Sequence, residues 1–236
     1  MSKRIAAFFD IDGTLLAGPS LEWRFVSWLF ANELVSSWHI GSWAATAVAG
    51  LLCGDLRAFN TNKSYLTGLP ESLVQNWESS LSATALAGFP EAARRICWHA
   101  EEGHRVFLVS GTLAPLARVF AGRMGGEVGV CATRLEVVDG LYSGSIEGNH
   151  MSGPEKARFV RKIAQRLDLS LADSFAYGNH ADDLAMLDSV GHPVAINPNA
   201  RLKRLAARRR WNVEEWSDKR KTESVPQSAQ PRLEAR

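Results

Sequence analysis

Short apolar runs recur along the chain, and each ends in polar residues or glycine. Runs of this length, with no charge after the first residue, are typical of β-strands buried on both faces of a sheet. They occupy residues 4–9, 105–109, 174–177 and 193–196. Segments with apolar residues three or four positions apart, which predict helices, occupy residues 90–102, 113–124, 154–167 and 182–189. Because strands alternate with helices, the sequence predicts an α/β fold with a doubly wound, mostly parallel sheet.

Three segments depart from this alternation. Residues 17–88 show no strand pattern, only helical segments rich in Trp and Leu, which predicts a helical cap inserted after the first strand. The pair Asp139 and Gly140 between apolar residues predicts a hairpin over 133–145. The chain after Trp216 has no apolar period, which predicts disorder. The predicted units are an α/β core of 1–16 and 89–216, a cap of 17–88 and a disordered tail of 217–236.

The composition narrows the class of protein. The 236 residues are 46% hydrophobic and 22% charged, as in ordinary globular proteins. The net charge of +2 is too small to indicate nucleic acid as the main partner, and the basic excess over residues 201–221 favours a solvated helix. The three cysteines lack metal-ligand spacing and favour free thiols. Because Asp10 and Asp12 interrupt the apolar N-terminus, we expect no signal peptide and a cytoplasmic protein.

The first strand ends in two carboxylates, Asp10 and Asp12. Residues two apart in a strand point to the same face, so both side chains can converge on one small volume that suits a metal and a phosphoryl group. Gly13 allows a tight turn in which backbone amides can meet phosphate oxygens. Turns and Ca²⁺ loops use the same short pattern, so this motif alone leaves those interpretations open.

Three further motifs follow in order. Ser110, Gly111 and Thr112 come after the second strand, Lys156 lies at the start of a helix, and a Gly-Asn-His-Ala-Asp-Asp segment at 178–183 follows another strand. With the Asp-Ile-Asp-Gly-Thr segment at 10–14 and a helical insertion between the first two motifs, the sequence resembles the haloacid dehalogenase superfamily of phosphatases. The similarity is to the branch that contains phosphoserine phosphatase, and it extends over about residues 4–216.

The resemblance implies a role for each motif. Asp10 would attack phosphorus and form an aspartyl-phosphate, and Asp12 would act as general acid and then general base. Ser110 and Lys156 would hold the transferring oxygens. The glycine and threonine positions of the motifs would contribute to phosphate binding: Gly13, Gly111 and Thr112. The implied reaction is hydrolysis of a small organic phosphate monoester.

The same resemblance implies a Mg²⁺ cofactor. The ion would be held by the Asp10 carboxylate, the Asp12 backbone carbonyl and the last motif, where Asn179 and Asp183 are the candidate ligands. Asn179 departs from the family, in which an Asp is usual at this position. An amide oxygen still coordinates Mg²⁺ but carries no full charge, which predicts weaker metal affinity unless Asp182 or Asp183 compensates. A noncatalytic phospholigand-binding protein of the same fold is therefore the alternative.

The substrate is left open by the sequence. Phosphoserine is bound in the relatives by an acid soon after the first motif and by a cap arginine, and Glu22 and Arg57 are candidate counterparts whose spacing does not match well. Arg24 lies in the same region as Glu22. Four of the eight tryptophans lie in one short region of the cap, at positions 23, 28, 38 and 43. They predict core packing or, if they line the cavity, an apolar or cationic substrate group. The oligomeric state is not predicted.

Residues 34–54 carry no charge, and 21 residues are nominally enough for a membrane span of about 20. A single crossing would place Asp10 and Ser110 on opposite sides of the bilayer, although both belong to one predicted site. Two crossings would need about 40 residues, which is more than the 21 residues of the uncharged stretch. We therefore expect a buried pair of cap helices. Contact with a membrane surface, with a lipid phosphate as substrate, is the second interpretation.

Overall fold

The computed structural model describes residues 4–53 and 61–217. The strands are β1 (Ala6–Phe9), β2 (Arg105–Leu113), β3 (Val128–Thr133), β4 (Leu135–Val138), β5 (Leu141–Ile146), β6 (Phe175–Gly178), β7 (His192–Ile196) and β8 (Asn212–Glu214). Six of them form one parallel sheet in the order β3-β2-β1-β6-β7-β8. The prediction of a doubly wound parallel sheet is confirmed.

The helices are α1 (Leu21–Ala31), α2 (Ser37–Leu52), α3 (Leu73–Ser80), α4 (Pro90–Glu101), α5 (Ala114–Gly122), α6 (Pro154–Leu167), α7 (Leu184–Leu187) and α8 (Ala200–Arg209). Short 3₁₀ turns span Ser64–Leu66 and Ala181–Asp183. The second turn and α7 together occupy the segment predicted as one helix over 182–189. The helix within the basic stretch after residue 200 is confirmed as α8.

Strand β1 lies at the centre because all four of its side chains are apolar and fully buried. Ala7 and Phe9 face one side of the sheet, where they join the core formed with α1, α4 and α5. Ala6 and Phe8 face the other side and pack with α6 and α8. Helices therefore cover both faces, which is the arrangement that a strand without polar side chains requires.

Two strands of the sheet, β3 and β8, were not predicted. The residues of β3 include Gly129 and only its last two side chains are buried, while β8 has only three residues. Both are edge strands, and an edge strand lacks the continuous apolar run that marks a central one. The predicted hairpin is confirmed as β4 and β5, with positive φ at Asp139 and Gly140 in the connecting turn.

Helices α1, α2 and α3 lie between β1 and β2, as predicted for the cap. The guanidinium of Arg24 donates hydrogen bonds to the carbonyls of Ala17, Pro19 and Ala85, where the chain leaves the core and where it returns. The backbone N–H of Phe89 also donates to the carbonyl of Leu15, at 2.9 Å. This close approach of the two ends supports the proposed division between core and cap. The guanidinium of Arg24 therefore joins the two ends of the cap.

The expectation of a buried pair of cap helices is wrong for α2. Trp38 is 61% exposed and Leu52 is 84% exposed, whereas Ala47 is buried. The helix makes its contacts with the cap along one narrow side, including a hydrogen-bonding contact of 3.2 Å between His39 Nε2 and the Thr67 carbonyl. Within the described residues no helix combines the length and apolar character needed to cross a bilayer. Arg57 and all of the predicted tail except Ser217 lie outside the described residues.

A buried polar cluster lies beneath the central strands. His99 on α4 is fully buried, and its Nε2 lies 2.8 Å from the Tyr177 hydroxyl while its Nδ1 lies 2.9 Å from Nδ1 of His104. Burial, together with the neighbouring His104 and Arg95, lowers the pKa of His99 to about 3. The backbone carbonyl of Tyr177 accepts a hydrogen bond from the Asp10 N–H. The cluster therefore supports the strand from which Asp10 projects.

The free energy of unfolding, measured as a function of pH, should show the effect of the lowered pKa of His99. Between its ordinary pKa of 6.5 and its folded value of about 3, His99 stays neutral in the folded chain and takes up a proton on unfolding. The His99 contribution should lower the free energy of unfolding as the pH falls through this window, by up to about 1.4 kcal/mol per pH unit for one proton. His99→Gln cannot titrate and should give a flatter profile in urea unfolding. Parallel profiles for the two proteins would contradict the assignment.

Candidate active site

The predicted motifs meet at the carboxyl edge of the sheet. Asp10 follows β1, Ser110 lies near the end of β2 and Asn179 follows β6, while Lys156 is in the first turn of α6. The chain moves to β2 and β3 on one side of β1 and to β6, β7 and β8 on the other, and a crevice forms where the direction reverses. A cavity of about 800 Å³ lies over this edge and is lined by residues of the core and of the cap.

The ammonium of Lys156 joins two buried carboxylates. Its Nζ lies 2.6 Å from Oδ1 of Asp10 and 2.6 Å from Oδ1 of Asp183, and all three side chains are almost fully buried. Burial raises the pKa of Asp10 to about 7, because desolvation and the charges of Asp183 and Asp12 outweigh the attraction of Lys156. The two carboxylates raise the pKa of Lys156, so the lysine is charged.

Asp183 also organises the loop that follows β6. Its Oδ2 accepts hydrogen bonds from the backbone N–H groups of Asn179 and His180, at 3.0 and 2.9 Å. Both oxygens of Asp183 therefore have protein donors, whereas among the described residues the side-chain oxygen of Asn179 has only a 3.4 Å contact from the Thr14 hydroxyl. Asp183 holds the loop and Lys156, and Asn179 presents its amide to the cavity.

Asp12 lies at the junction of the core and the cap. Its Oδ1 accepts a hydrogen bond of 2.8 Å from the backbone N–H of Leu21, the first residue of α1. Burial raises the pKa of Asp12 above its usual value, although the Leu21 hydrogen bond lowers it in part. A raised pKa favours the protonated form of a carboxyl group, which is the form that a general acid requires.

The end of β2, where its register with β3 is irregular, supplies hydroxyl groups to the cavity. Ser110 and Thr112 are buried, and Thr112 Oγ1 has no hydrogen-bond partner in the described part of the chain. The Gly111 carbonyl accepts a hydrogen bond from Thr133 Oγ1 at 2.8 Å, which holds this part of the strand in place. His150 and Ser152 also line the cavity, and sequence reasoning missed both because they lie in an irregular segment without a motif.

Sequence reasoning also missed a polar cluster on the cap side. Oε1 of Glu22, a predicted substrate-binding residue, accepts hydrogen bonds from Lys63 Nζ at 2.5 Å and from the Tyr65 hydroxyl at 2.7 Å. Burial and the Glu22 charge raise the pKa of Tyr65 well above its usual value, so the phenol remains a donor. Both partners lie about 40 residues after Glu22, and no spacing pattern joins them. Lys63 is the single lysine in residues 17–88 of the sequence, which was the one available signal.

The carboxylates at the sheet edge fit a divalent cation. Asp10, Asp12 and Asp183 carry three negative charges when ionised, and Lys156 offsets one. Among the described residues, no group of three His, Cys, Asp or Glu side chains could hold a metal ion by itself. A cation here would use a carboxylate oxygen, a backbone carbonyl, the Asn179 amide oxygen and waters, which is the mixed oxygen set that Mg²⁺ accepts.

Comparisons with known proteins agree with this arrangement. A family model described as haloacid dehalogenase-like hydrolase matches residues 7–188. Phosphoserine phosphatase SerB1 of Mycobacterium tuberculosis is 38% identical over 232 residues, which cover 93% of this chain and 73% of the relative. A protein of Streptomyces azureus that is named inhibition of morphological differentiation protein is 30% identical. The match covers 89% of this chain and 78% of that protein.

Two solved structures share the fold. A protein of unknown function from Bordetella pertussis Tohama I has a TM-score of 0.72 at 22% identity, over 90% of this chain and 98% of the other. A phosphoserine phosphatase in the apo form has a TM-score of 0.64 at 21% identity, over 95% and 100%. The chain belongs to the haloacid dehalogenase-like hydrolase family. Within this family it is a phosphatase, similar to the phosphoserine phosphatases.

Gly13 should be essential to the position of Asn179. Its φ is +82°, and a Cβ at this position would overlap Nδ2 of Asn179. Gly13→Ala should lose about 1–2 kcal/mol of stability from the left-handed backbone. It should also lose phosphatase activity on the order of 100-fold, because Asn179 is displaced.

Gly103→Ala provides the matched control, because Gly103 has φ +72° but no neighbouring atom within 4 Å of the added Cβ. This variant should have a similar loss of stability in urea unfolding and full activity. Equal activity in the two variants would show that the contact between Gly13 and Asn179 does not matter.

Proposed function

We propose that the protein hydrolyses a small organic phosphate monoester in two steps, through a phosphorylated Asp10 and with Mg²⁺. The observation that carries this proposal is the ion-paired cluster at the sheet edge, in which Lys156 Nζ lies 2.6 Å from both Asp10 and Asp183 at one end of the cavity. The names of the relatives, which include phosphoserine phosphatase, support a small phosphomonoester as the substrate class.

In the first step, a carboxylate oxygen of Asp10 attacks the phosphorus atom. The bond from phosphorus to the alcohol oxygen breaks, and the acyl phosphate forms on Asp10. Asp12, whose raised pKa favours the protonated form, donates its proton to the departing alcohol. The Asp12 side chain is held for this transfer by the Leu21 N–H at the start of the cap.

In the second step, water attacks the phosphorus of the acyl phosphate. Asp12, now ionised, accepts a proton from this water, and the bond from Asp10 to phosphorus breaks to release inorganic phosphate. Asp10 and Asp12 return to their initial protonation states, so the cycle balances. Helix α1 of the cap lies over the site, so it limits the access of water while the substrate ester is bound.

The charge that develops on the phosphoryl oxygens is offset by groups already in place. Lys156 supplies a buried positive charge, and the Ser110 and Thr112 hydroxyls line the same end of the cavity. The backbone around Gly13 and Gly111 lets the phosphate approach closely. Donors that are fixed before the reaction stabilise a transition state most effectively.

We infer that Mg²⁺ is held by the Asp10 carboxylate, the Asp12 carbonyl and the Asn179 amide oxygen, with Asp183 as a further carboxylate. When bound, the ion supplies positive charge that favours ionised Asp10 and offsets the charge of the phosphate. Burial raises the pKa of Asp10 most, and the charges of Asp183 and Asp12 raise it further; a cation held here would offset those charges, which supports the assignment. Asn179 contributes an oxygen without a full charge.

Replacing Asp10 tests the covalent step. Asp10→Asn removes the nucleophile without changing the size of the side chain, and it should retain less than about 1% of the wild-type kcat. The assay is phosphate release from a panel of phosphomonoesters with Mg²⁺ and with a chelator. Acid-quenched wild-type protein should carry phosphate on Asp10 by mass spectrometry, whereas the variant should carry none.

Asp139→Asn is the control for Asp10→Asn, because it makes the same chemical change at an exposed turn where Asn tolerates positive φ. It should have wild-type activity. Substantial turnover by Asp10→Asn would exclude the acyl phosphate, and wild-type protein that binds phosphate esters without turnover would contradict the whole proposal.

Replacing Asn179 tests whether its amide oxygen is one of the Mg²⁺ ligands. Asn179→Asp adds an anionic oxygen ligand and should tighten Mg²⁺ binding by roughly tenfold, about 1.4 kcal/mol. Calorimetric titration of Mg²⁺ into the protein measures this without relying on activity. Asn76→Asp adds the same charge at an exposed position of α3 and should leave the affinity unchanged. Identical affinities for wild type and Asn179→Asp would show that Asn179 is not a ligand.

A further inference from the structure

The cavity extends well beyond the phosphate end, and its far end is built by the cap. Helix α1 is capped at its N-terminus by Ser20, whose side chain accepts a hydrogen bond from the Trp23 N–H. One face of the helix packs on the core through Leu21, Phe25 and Leu29. The adjacent face lines the cavity, so the helix that holds Asp12 also provides the wall facing the alcohol half of a bound ester.

Glu22 and Lys63, which line the cavity on the cap side, neutralise each other. Lys63 is buried, with only 5% of its side chain exposed, and its ammonium is bonded to Glu22. Glu22 is the only carboxylate paired with Lys63 within residues 4–53 and 61–217. Breaking the pair would leave a buried ammonium without a partner, which is strongly unfavourable. The Glu22 carboxylate is therefore already occupied by a cation of the protein.

Because Glu22 is already bonded to Lys63, the pair restricts which esters fit beside it. An ester that carries an ammonium group would have to displace Lys63 from Glu22 or remain beside it without a counter-charge. The Tyr65 hydroxyl occupies the same Glu22 oxygen and adds to the barrier. The pair therefore disfavours phosphorylated amino acids and phosphorylated amino alcohols at this end of the cavity.

Six further side chains on the cap side of the cavity are apolar, while Ser20 and Asn62 add polar groups. The apolar side chains come from α1, from the loop after it and from α2, and they are Trp23, Val26, Phe30, Val35, Ile40 and Trp43. Four of them are also partly open to solvent, with exposed fractions between 37% and 62%. Removing apolar surface from water is favourable, so a ligand that covers this part of the cavity gains binding free energy.

We propose that the natural substrate is a phosphate monoester of an uncharged, mainly hydrocarbon alcohol, whose chain or ring lies against this apolar wall. The inference rests on the proposed phosphatase reaction and adds the class of the leaving alcohol. The neutral pair of Glu22 and Lys63 borders the wall and excludes a positively charged group from it. The cavity of about 800 Å³ has room for such an alcohol in addition to the phosphate.

A substrate series on the wild-type protein tests this without any variant. Ethyl, butyl, hexyl and octyl phosphate are compared with phosphoserine and phosphoethanolamine, all in solution with Mg²⁺. The value of kcat/KM should rise about threefold to fourfold with each added methylene that contacts the wall. Phosphoserine and phosphoethanolamine should be poorer substrates than hexyl phosphate. A higher kcat/KM for either amine, or no dependence on chain length, overturns the inference.

Failure of the proposed function is distinguishable from failure of this inference. If p-nitrophenyl phosphate and every ester in the series are left intact with Mg²⁺, the phosphatase proposal itself fails. If these esters are hydrolysed without preference, only the apolar alcohol is wrong. An additional arm presents hexadecyl phosphate in phosphatidylcholine vesicles. A preference for longer chains in solution, or turnover in the vesicles, supports the apolar class, and the faster arm identifies whether the ester comes from solution or from a bilayer.

Two pairs of variants locate the effect. Lys63→Met releases Glu22 and should raise kcat/KM for phosphoethanolamine relative to hexyl phosphate by about tenfold, because the substrate ammonium takes the place of the lysine. Tyr65→Phe removes the other donor and retains Lys63, so it should not improve the amine. No gain for Lys63→Met in a protein that unfolds at the wild-type urea midpoint contradicts the role of the pair.

The second pair compares tryptophans of similar exposure. Trp43 lines the cavity and is 37% exposed, whereas Trp98 on α4 lies outside it and is 40% exposed. Trp43→Gln should lower kcat/KM for hexyl phosphate by about tenfold with little change for ethyl phosphate. Trp98→Gln should leave the chain-length preference unchanged. Equal effects of the two substitutions would show that the apolar wall does not contact the substrate.

Discussion

Two buried carboxylates, Asp10 and Asp183, share the ammonium of Lys156. An unpaired charge at this depth would be costly, so the ion pairs constrain three separate parts of the chain at once. They join the end of β1, the first turn of α6 and the turn after β6. Since Asp183 also accepts two backbone N–H groups of its own loop, the position of Asn179 depends on the same cluster.

A second ion pair, between Glu22 and Lys63, lies on the cap side of the cavity, and the two sites differ in charge. At the sheet edge, one ammonium serves two carboxylates and negative charge is left over, which suits a cation and a reacting phosphate. In the cap, Glu22 and Lys63 are matched one to one. That pair has no net charge, so the selectivity proposed for this side depends on shape and apolar contact. Helix α1 connects the two sides, because Leu21 N–H holds Asp12 while the next turn lines the cavity.

The elements that the sequence predicted well are those with a strong local cause. β1 was recognisable because a central parallel strand is buried on both faces, and α6 because its apolar spacing and Pro154 mark a helix and its start. Edge strands β3 and β8 lack that signal. The burial expected for α2 was wrong because an uncharged helix carries the same pattern whether its apolar side chains meet the core, a cavity or water.

The sequence by itself determined the family, the α/β alternation and the polar residues at the strand ends, because each depends on a short local pattern. Only the tertiary structure decided which groups neutralise one another. Lys63 and Tyr65 meet Glu22 across more than 40 residues, and Asp183 rather than Asn179 receives Lys156. Such pairings depend on where helices cross and on how much water the fold removes. Neither quantity is encoded in the spacing of residues along the chain.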